Sequence, residues 1–146
     1  MVFKNRPPKI LIVEDDYTNH PLFLEAYKNA GFEVLIVDNA DGDFIQTVTN
    51  FKPDVISIDL MIGKFGQPAD RDGFEAIELL KSDDRTFKIP VVVVSSFFQK
   101  ERVLRAKELG VRDYINLQNQ SISKIAELFK SLVKNPRRYK STHPLL

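Results

Sequence analysis

Four carboxylates follow directly after two apolar runs of the sequence, and they have the clearest capacity for chemistry. They are Glu14, Asp15, Asp16 and Asp59. The preceding runs, residues 10–13 and 55–58, are rich in β-branched side chains and predict buried strands. A carboxylate is seldom left unpaired inside a protein, so acids at strand ends indicate a site. Clustered carboxylates suit a hard divalent cation, Mg²⁺ above all.

Two other interpretations of the acids are weaker. The segment EDD could be a solvated loop at a helix N-terminus, where the helix dipole favours negative charge. That explanation suffices for one acid, but it does not account for three at one strand end and a fourth at another. A nucleotide site would need a loop rich in Gly, Ser or Thr. The sequence EDDYTNH would instead repel a phosphate that lacks a bridging cation.

The elements that must position these acids are five strands alternating with helices. Strands are predicted at residues 10–13, 34–37, 55–58, 91–94 and 114–117. Continuous rather than alternating apolar runs indicate a parallel sheet that is covered on both faces. We therefore predict a doubly wound, flavodoxin-like α/β fold with strand order 2-1-3-4-5. This order makes strands one and three neighbours, so that their acids converge where the strand order reverses.

Composition and charge exclude several classes of function for this chain. The chain has 146 residues, no cysteine and no apolar run long enough to span a bilayer, so we expect a cytoplasmic protein without a thiolate metal site. The two ends carry seven cations and no acids, and removing those charges from the net +1 leaves −6 on residues 10–133. An acidic body argues against direct nucleic-acid or membrane binding. We predict a basic arm at 1–8, one domain at 9–134 and a basic tail at 135–146.

The ordered set of polar residues resembles the receiver domain of two-component response regulators. Glu14 and Asp15 follow the first strand, and Asp59 follows the third. Ser95 follows the fourth strand, in IPVVVVSS, and Tyr114 lies in the fifth. No single element is specific to that family, but the ordered set is, and it extends over about residues 9–133.

The resemblance implies a phosphorelay function. Asp59 would accept a phosphoryl group from a histidine kinase or phosphotransfer protein, and the chain would signal through contacts with a downstream protein or a second copy of itself. Mg²⁺ would be held by Asp15, Asp59 and the Met61 carbonyl oxygen, with Glu14 acting through water. Such a chain is a phosphoacceptor rather than an enzyme with a separate substrate.

The resemblance also implies a switch. Ser95 would hydrogen-bond the acyl phosphate, and the movement of its loop would let Tyr114 turn inward. Considered by residue type alone, Ser95 could equally bond backbone at a strand end, and Tyr114 could be a packed core aromatic.

Three departures from the family pattern concern the switch and the loop after Asp59. The family's lysine, usually followed by proline, is replaced by Leu117 and Gln118. Gly73 lies fourteen residues after Asp59, about six further than the corresponding family glycine. Gly63 stands where the family has proline. We expect phosphotransfer chemistry with weaker coupling between phosphorylation and conformation.

Two alternatives stay open at this point. One is a receiver-like binding module that does not depend on phosphorylation. The other is a Mg²⁺-dependent phosphohydrolase that uses Asp59, although the only histidines are His20 and His143 and no second acid/base residue is evident.

Three further expectations concern where particular parts of the chain lie in the fold. The insertion at residues 63–72 should form a mobile flap beside the site, because it contains glycine and proline and little apolar content. The basic ends should lie together, opposite the acidic site, with the tail most simply solvated. Leu117 should turn its side chain into the core beside the site.

Overall fold

The structure is a computed structural model that describes residues 6–64, 68–96 and 99–146. Strands and helices alternate along the described chain. The strands are β1 (Lys9–Val13), β2 (Glu33–Val37), β3 (Val55–Ile58), β4 (Val91–Ser95) and β5 (Asp113–Asn116). The helices are α1 (His20–Asn29), α2 (Phe44–Phe51), α3 (Gly73–Ser82), α4 (Lys100–Glu108) and α5 (Ile122–Lys134).

The five strands form one parallel sheet in the order β2-β1-β3-β4-β5, which confirms the predicted fold class. In the β1–β3 pair, Val13 lies opposite Ile58. The residues that follow these two strands therefore leave the same edge of the sheet side by side.

Alternate residues of the strands supply two hydrophobic cores. On one face, strand residues such as Leu11 and Ile56 pack with side chains of α2, α3 and α4. On the other face, residues such as Ile10 and Val92 pack with α1 and α5. β1, β3 and β4 are apolar on both faces because both faces are covered, as continuous apolar runs predict.

Local sequence signals set the helix ends. Pro21 lies in the first turn of α1, where its missing N–H group costs little. The Ser121 side chain caps α5 by accepting from the Lys124 N–H at 3.1 Å. Among the described residues, no helix has both the length and the apolar character needed to cross a membrane.

The insertion is anchored at its C-terminal end. Residues 65–67 lie outside the described residues, so the prediction of a mobile flap is not tested there. Beyond them, the Asp41 carboxylate accepts from the Asp70 N–H at 2.9 Å and the Arg71 N–H at 3.0 Å. The Arg71 guanidinium donates to the Ala40 carbonyl at 2.6 Å. This end is therefore bound to the loop before α2.

Gly73 begins α3 directly against the backbone that carries Asp59. A Cβ atom added at Gly73 would lie 2.5 Å from the Leu60 Cα atom and 2.7 Å from the Asp59 carbonyl oxygen. Only glycine permits this approach.

The C-terminal segment packs on the domain and is not the free solvated tail that its charges predict. Asp113, at the start of β5, has no exposed surface. Its carboxylate accepts hydrogen bonds from the Tyr139 hydroxyl at 2.6 Å, the Ser141 hydroxyl at 2.8 Å and the Thr142 N–H at 3.0 Å. We call residues 139–143 together with the Asp113 carboxylate the C-terminal clasp.

Beyond the clasp the chain crosses the edge of the sheet at β5. Tyr139 packs on the α5 side, whereas Leu145 and Leu146 pack on the core beneath α4. His143 and Pro144 reach the loop after β5 and line a cavity with Asn119. The expectation that the whole tail lies opposite the acidic site is therefore wrong for its last residues.

Candidate functional site

The predicted acids meet at the carboxyl edge of the sheet. Backbone pairing continues past the strand ends, with the Glu14 N–H donating to the Val37 carbonyl at 3.0 Å and the Asp59 N–H to the Val13 carbonyl at 3.1 Å. This pairing holds the two acidic segments side by side. They line a cavity of about 140 Å³, whose wall is formed by Glu14, Asp15, Asp16, Asn19, Asp59, Met61, Ser96 and Leu117.

Three of the acids are arranged as a cation site. One carboxylate oxygen from each of Glu14, Asp15 and Asp59 lies within 4.8 Å of the other two. Oxygen donors in this number suit Mg²⁺, with water completing the coordination. The Met61 carbonyl, the fourth predicted ligand, accepts from the Lys64 N–H at 3.1 Å. Its part in a metal site stays a prediction.

Gly63 contributes a contact that proline could not make. Its N–H donates to Asp15 Oδ2 at 3.0 Å, and proline has no N–H to donate. Gly63 also adopts a left-handed conformation, with φ of 79°. The departure from the family pattern at this position thus ties the start of the insertion to an acid of the site.

Glu14 and Asp59 are held as a hydrogen-bonded pair of carboxyl groups. Glu14 is only 3% exposed, and burial, its hydrogen bond to Asp59 and the charge of Asp59 raise its pKa to about 8. Burial also raises the pKa of Asp59, while the hydrogen bonds from Glu14 and the Met61 N–H oppose that rise. With a pKa of about 8, Glu14 holds its proton at neutral pH.

Neighbouring groups of the loop support Glu14. Asn19 Nδ2 donates to Glu14 Oε1 at 3.2 Å, and the Asp16 N–H donates to Glu14 Oε2 at 3.3 Å. His20 Nε2 lies 2.6 Å from the Glu14 carbonyl oxygen, so this half-buried ring contacts the backbone of the loop. The spacing of Asn19 and His20 from Glu14 carried no recognisable motif.

The two serines after β4 have different surroundings. Ser95 has no exposed surface and shares a hydrogen bond with the Tyr114 hydroxyl. The residue that lines the acidic cavity is Ser96.

Tyr114 is already inward in this structure. It is 1% exposed, its hydroxyl is bonded to Ser95 and its ring makes an edge contact with His143, with ring centres 5.9 Å apart. The inward position that the resemblance implies for this aromatic is thus the one seen in this structure.

Leu117 lies where the sequence predicts. It is half-buried, lines the acidic cavity and packs against the core beneath α1 and α5. None of the described residues that line the cavity is a cation. Charge on a group bound there must be offset from elsewhere.

Comparisons with known proteins agree with this geometry. The family model for the response regulator receiver domain matches residues 10–127. The response regulator protein VraR of Staphylococcus saprophyticus is 32% identical over 131 residues, which cover 88% of this chain and 58% of VraR. The regulator RpaA of Synechocystis is 31% identical, with 74% of this chain and 42% of RpaA covered. The chain thus spans about half the length of these two relatives.

Solved structures share the fold. The receiver domain of the sensor histidine kinase PA1611 from Pseudomonas aeruginosa, with magnesium in its active-site cleft, matches with a TM-score of 0.71 and 16% identity. The match covers 88% of this chain and 98% of that one. The phosphorylated cyanobacterial phytochrome response regulator RcpA matches with a TM-score of 0.66 and 26% identity, over 88% and 93% of the two chains.

Proposed function

The chain belongs to the receiver domain family of two-component response regulators, and we propose that it accepts a phosphoryl group on Asp59 and signals through protein contacts. The observation that carries the proposal is the Asp59 carboxylate, fixed at the end of β3 beside two further acids of a cation site. The phosphorylated structure of RcpA supports the same chemistry here.

In the proposed transfer, one Asp59 oxygen attacks the phosphorus atom of a phosphohistidine on the partner kinase or phosphotransfer protein. A P–O bond forms to the carboxylate and the P–N bond breaks, with its electron pair returning to the imidazole. The Met61 N–H donates to Asp59 Oδ1 at 3.0 Å and helps to hold the carboxylate in one orientation for attack.

Glu14, Asp15 and Asp59 would hold Mg²⁺, as the magnesium-bound receiver of PA1611 also suggests. When bound, the ion would offset negative charge on the transferring phosphoryl oxygens. The proton that Glu14 carries keeps the acids from repelling each other before metal and phosphoryl donor arrive.

The structural response to phosphorylation would involve residues of β4 and β5 and the loop after β4. Ser96, at the cavity wall, would meet a phosphoryl oxygen, and Ser95 would pass any movement of this loop to Tyr114 through their hydrogen bond. Because Tyr114 is already inward and Leu117 replaces the lysine, the conformational difference between the two forms should be small.

Intact mass spectrometry tests the proposal. Incubation with Mg²⁺ and acetyl phosphate should add the mass of one phosphoryl group to the wild type and none to Asp59→Asn. Asp84→Asn, which alters an exposed acid outside the cluster, is the control and should still be modified. A wild type that stays unmodified, or an Asp59→Asn variant that is modified as readily, contradicts the proposal.

A further inference from the structure

The acidic cavity needs a positive charge that its described walls do not supply. A phosphoryl group on Asp59 would carry about two negative charges next to Asp15 and Asp16. The family lysine would offset part of this charge, but Leu117 occupies that position and can donate nothing. A bound divalent ion offsets two charges and leaves the site negative.

Arg102, on α4, is a cation that contacts the wall of this cavity. Its Nη1 donates to the Met61 sulfur, and Met61 lines the acidic cavity. On the other side of Met61 lies a groove of about 370 Å³ whose lining includes Arg102, Lys64 and Arg105. Met61 thus lines both the acidic cavity and the groove that holds Arg102.

The electrostatic surroundings of Tyr114 place Arg102 and Asp59 in the same neighbourhood. Burial raises the pKa of the Tyr114 hydroxyl, the hydrogen bond with Ser95 and the charge of Arg102 oppose that rise, and the charge of Asp59 adds to it. Both charges therefore act on one hydroxyl group, at the end of β4 where phosphorylation would be sensed.

Arg102 also occupies a position that helix stability disfavours. It lies in the first turn of α4, where the positive end of the helix dipole repels a cation. It forms no ion pair with any carboxylate in the described ranges. Arg105 on the same helix, by contrast, pairs with Glu78 at 3.1 Å and stacks over the Phe74 ring at 4.3 Å.

We propose that Arg102 is a catalytic residue of this receiver, and that its guanidinium passes Met61 to donate hydrogen bonds to a phosphoryl oxygen on Asp59. This inference rests on the proposed function of Asp59. Arginine suits the role because its planar donors match phosphoryl oxygens and its charge does not depend on pH near neutrality. The positive charge that the family places in the loop after β5 is thus supplied from α4 in this chain.

Titration with beryllofluoride, a stable mimic of the phosphoryl group, tests the inference. Affinity is measured by calorimetry at saturating Mg²⁺ for the wild type, Arg102→Gln and the matched control Arg105→Gln. Loss of a charge-assisted hydrogen bond should weaken binding roughly ten- to a hundredfold in Arg102→Gln, with little change in the control. Mg²⁺ affinity without beryllofluoride, and the melting temperature, should stay near wild-type values in both variants.

A rescue separates a contact with the phosphoryl group from a structural effect. In the Arg102→Gln background, Leu117→Lys should restore much of the lost affinity, because the lysine supplies a cation at the family position. Arg102→Lys should retain part of the affinity, and it serves as the second variant if Arg102→Gln folds poorly.

The results for the wild type and for Arg102→Gln test the proposed function of Asp59 and the role of Arg102 separately. If the wild type does not bind beryllofluoride with Mg²⁺, the proposed function fails and this inference with it. If the wild type binds but Arg102→Gln matches Arg105→Gln, the function stands and the role of Arg102 is wrong.

Discussion

At the scale of single residues, the proton on Glu14 makes stability depend on pH. The pKa of Glu14 is about 8 in the folded chain against 4.5 for the free residue, so the folded state holds a proton that the unfolded state has released. This contribution to the free energy of unfolding is fully present below pH 4.5 and is lost as pH rises through about 8. The metal-free protein should lose stability over that window.

Glu14→Gln tests this expectation, because the amide keeps the shape and cannot release a proton. Urea unfolding between pH 5 and pH 8 in the presence of a chelator should show a decline of the order of a few kcal/mol for the wild type. The decline should be smaller in the variant. If the free energy of unfolding declines equally with pH in the two proteins, Glu14 is not the group that causes the decline.

The acids of the site could be predicted from the sequence, whereas their protonation and the sidedness of the serines could not. Glu14, Asp15 and Asp59 follow apolar runs, and parallel strands place such residues at one edge. The proton that Glu14 holds depends on burial, which a single sequence does not contain. Whether Ser95 or Ser96 lines the cavity depends on the direction of the side chains at the end of β4, which the sequence also leaves open.

At the scale of elements, the C-terminal clasp attaches the end of the chain to β5. The Asp113 carboxylate is buried and accepts from Tyr139, Ser141 and Thr142. A buried acceptor with several donors stabilises a fold as long as its partners are all present. The clasp should therefore contribute to global stability as well as to the order of the last residues.

Asp113→Asn should lower the free energy of unfolding by about 2–4 kcal/mol, because the amide replaces one acceptor by a donor and removes the charge. Removal of residues 139–146 should cost a similar amount. If the two act through the same contacts, the double variant should lose less than the sum of the single losses. Additive losses, or an Asp113→Asn protein as stable as the wild type, would argue against the clasp. Asp84→Asn, at a surface acid, is the control.

The bounds of the elements agree closely with the sequence, and the path of the tail does not. The composition of a buried strand such as β3 is enough to predict it, and Ser121 is a typical first residue for a helix such as α5. The tail was misjudged because Arg137, Arg138 and Lys140 suggested a solvated segment, although Tyr139 and Ser141 turn inward between them. The overlooked signal was Asp113, a carboxylate at the start of a strand that would otherwise be unpaired.

At the scale of the whole molecule, the acidic site should link metal binding to folding. Mg²⁺ should bind the assembled cluster of Glu14, Asp15 and Asp59, and the unfolded chain offers it no such cluster. The melting temperature should therefore rise with Mg²⁺ concentration in the millimolar range. The rise should shrink in Asp15→Asn, while Asp84→Asn should behave like the wild type. A melting temperature that does not change with Mg²⁺ would count against the cation site.

The central claim is that Asp59, and no other carboxylate of the cluster, carries the phosphoryl group. Borohydride reduction tests it most directly, because it converts an acyl phosphate on aspartate into homoserine and leaves a free carboxylate unchanged. After incubation with Mg²⁺ and acetyl phosphate, reduction and peptide sequencing by mass spectrometry should find homoserine at position 59 alone. Homoserine at position 15 or 16, or at no position while the protein is folded and supplied with Mg²⁺, would contradict the account.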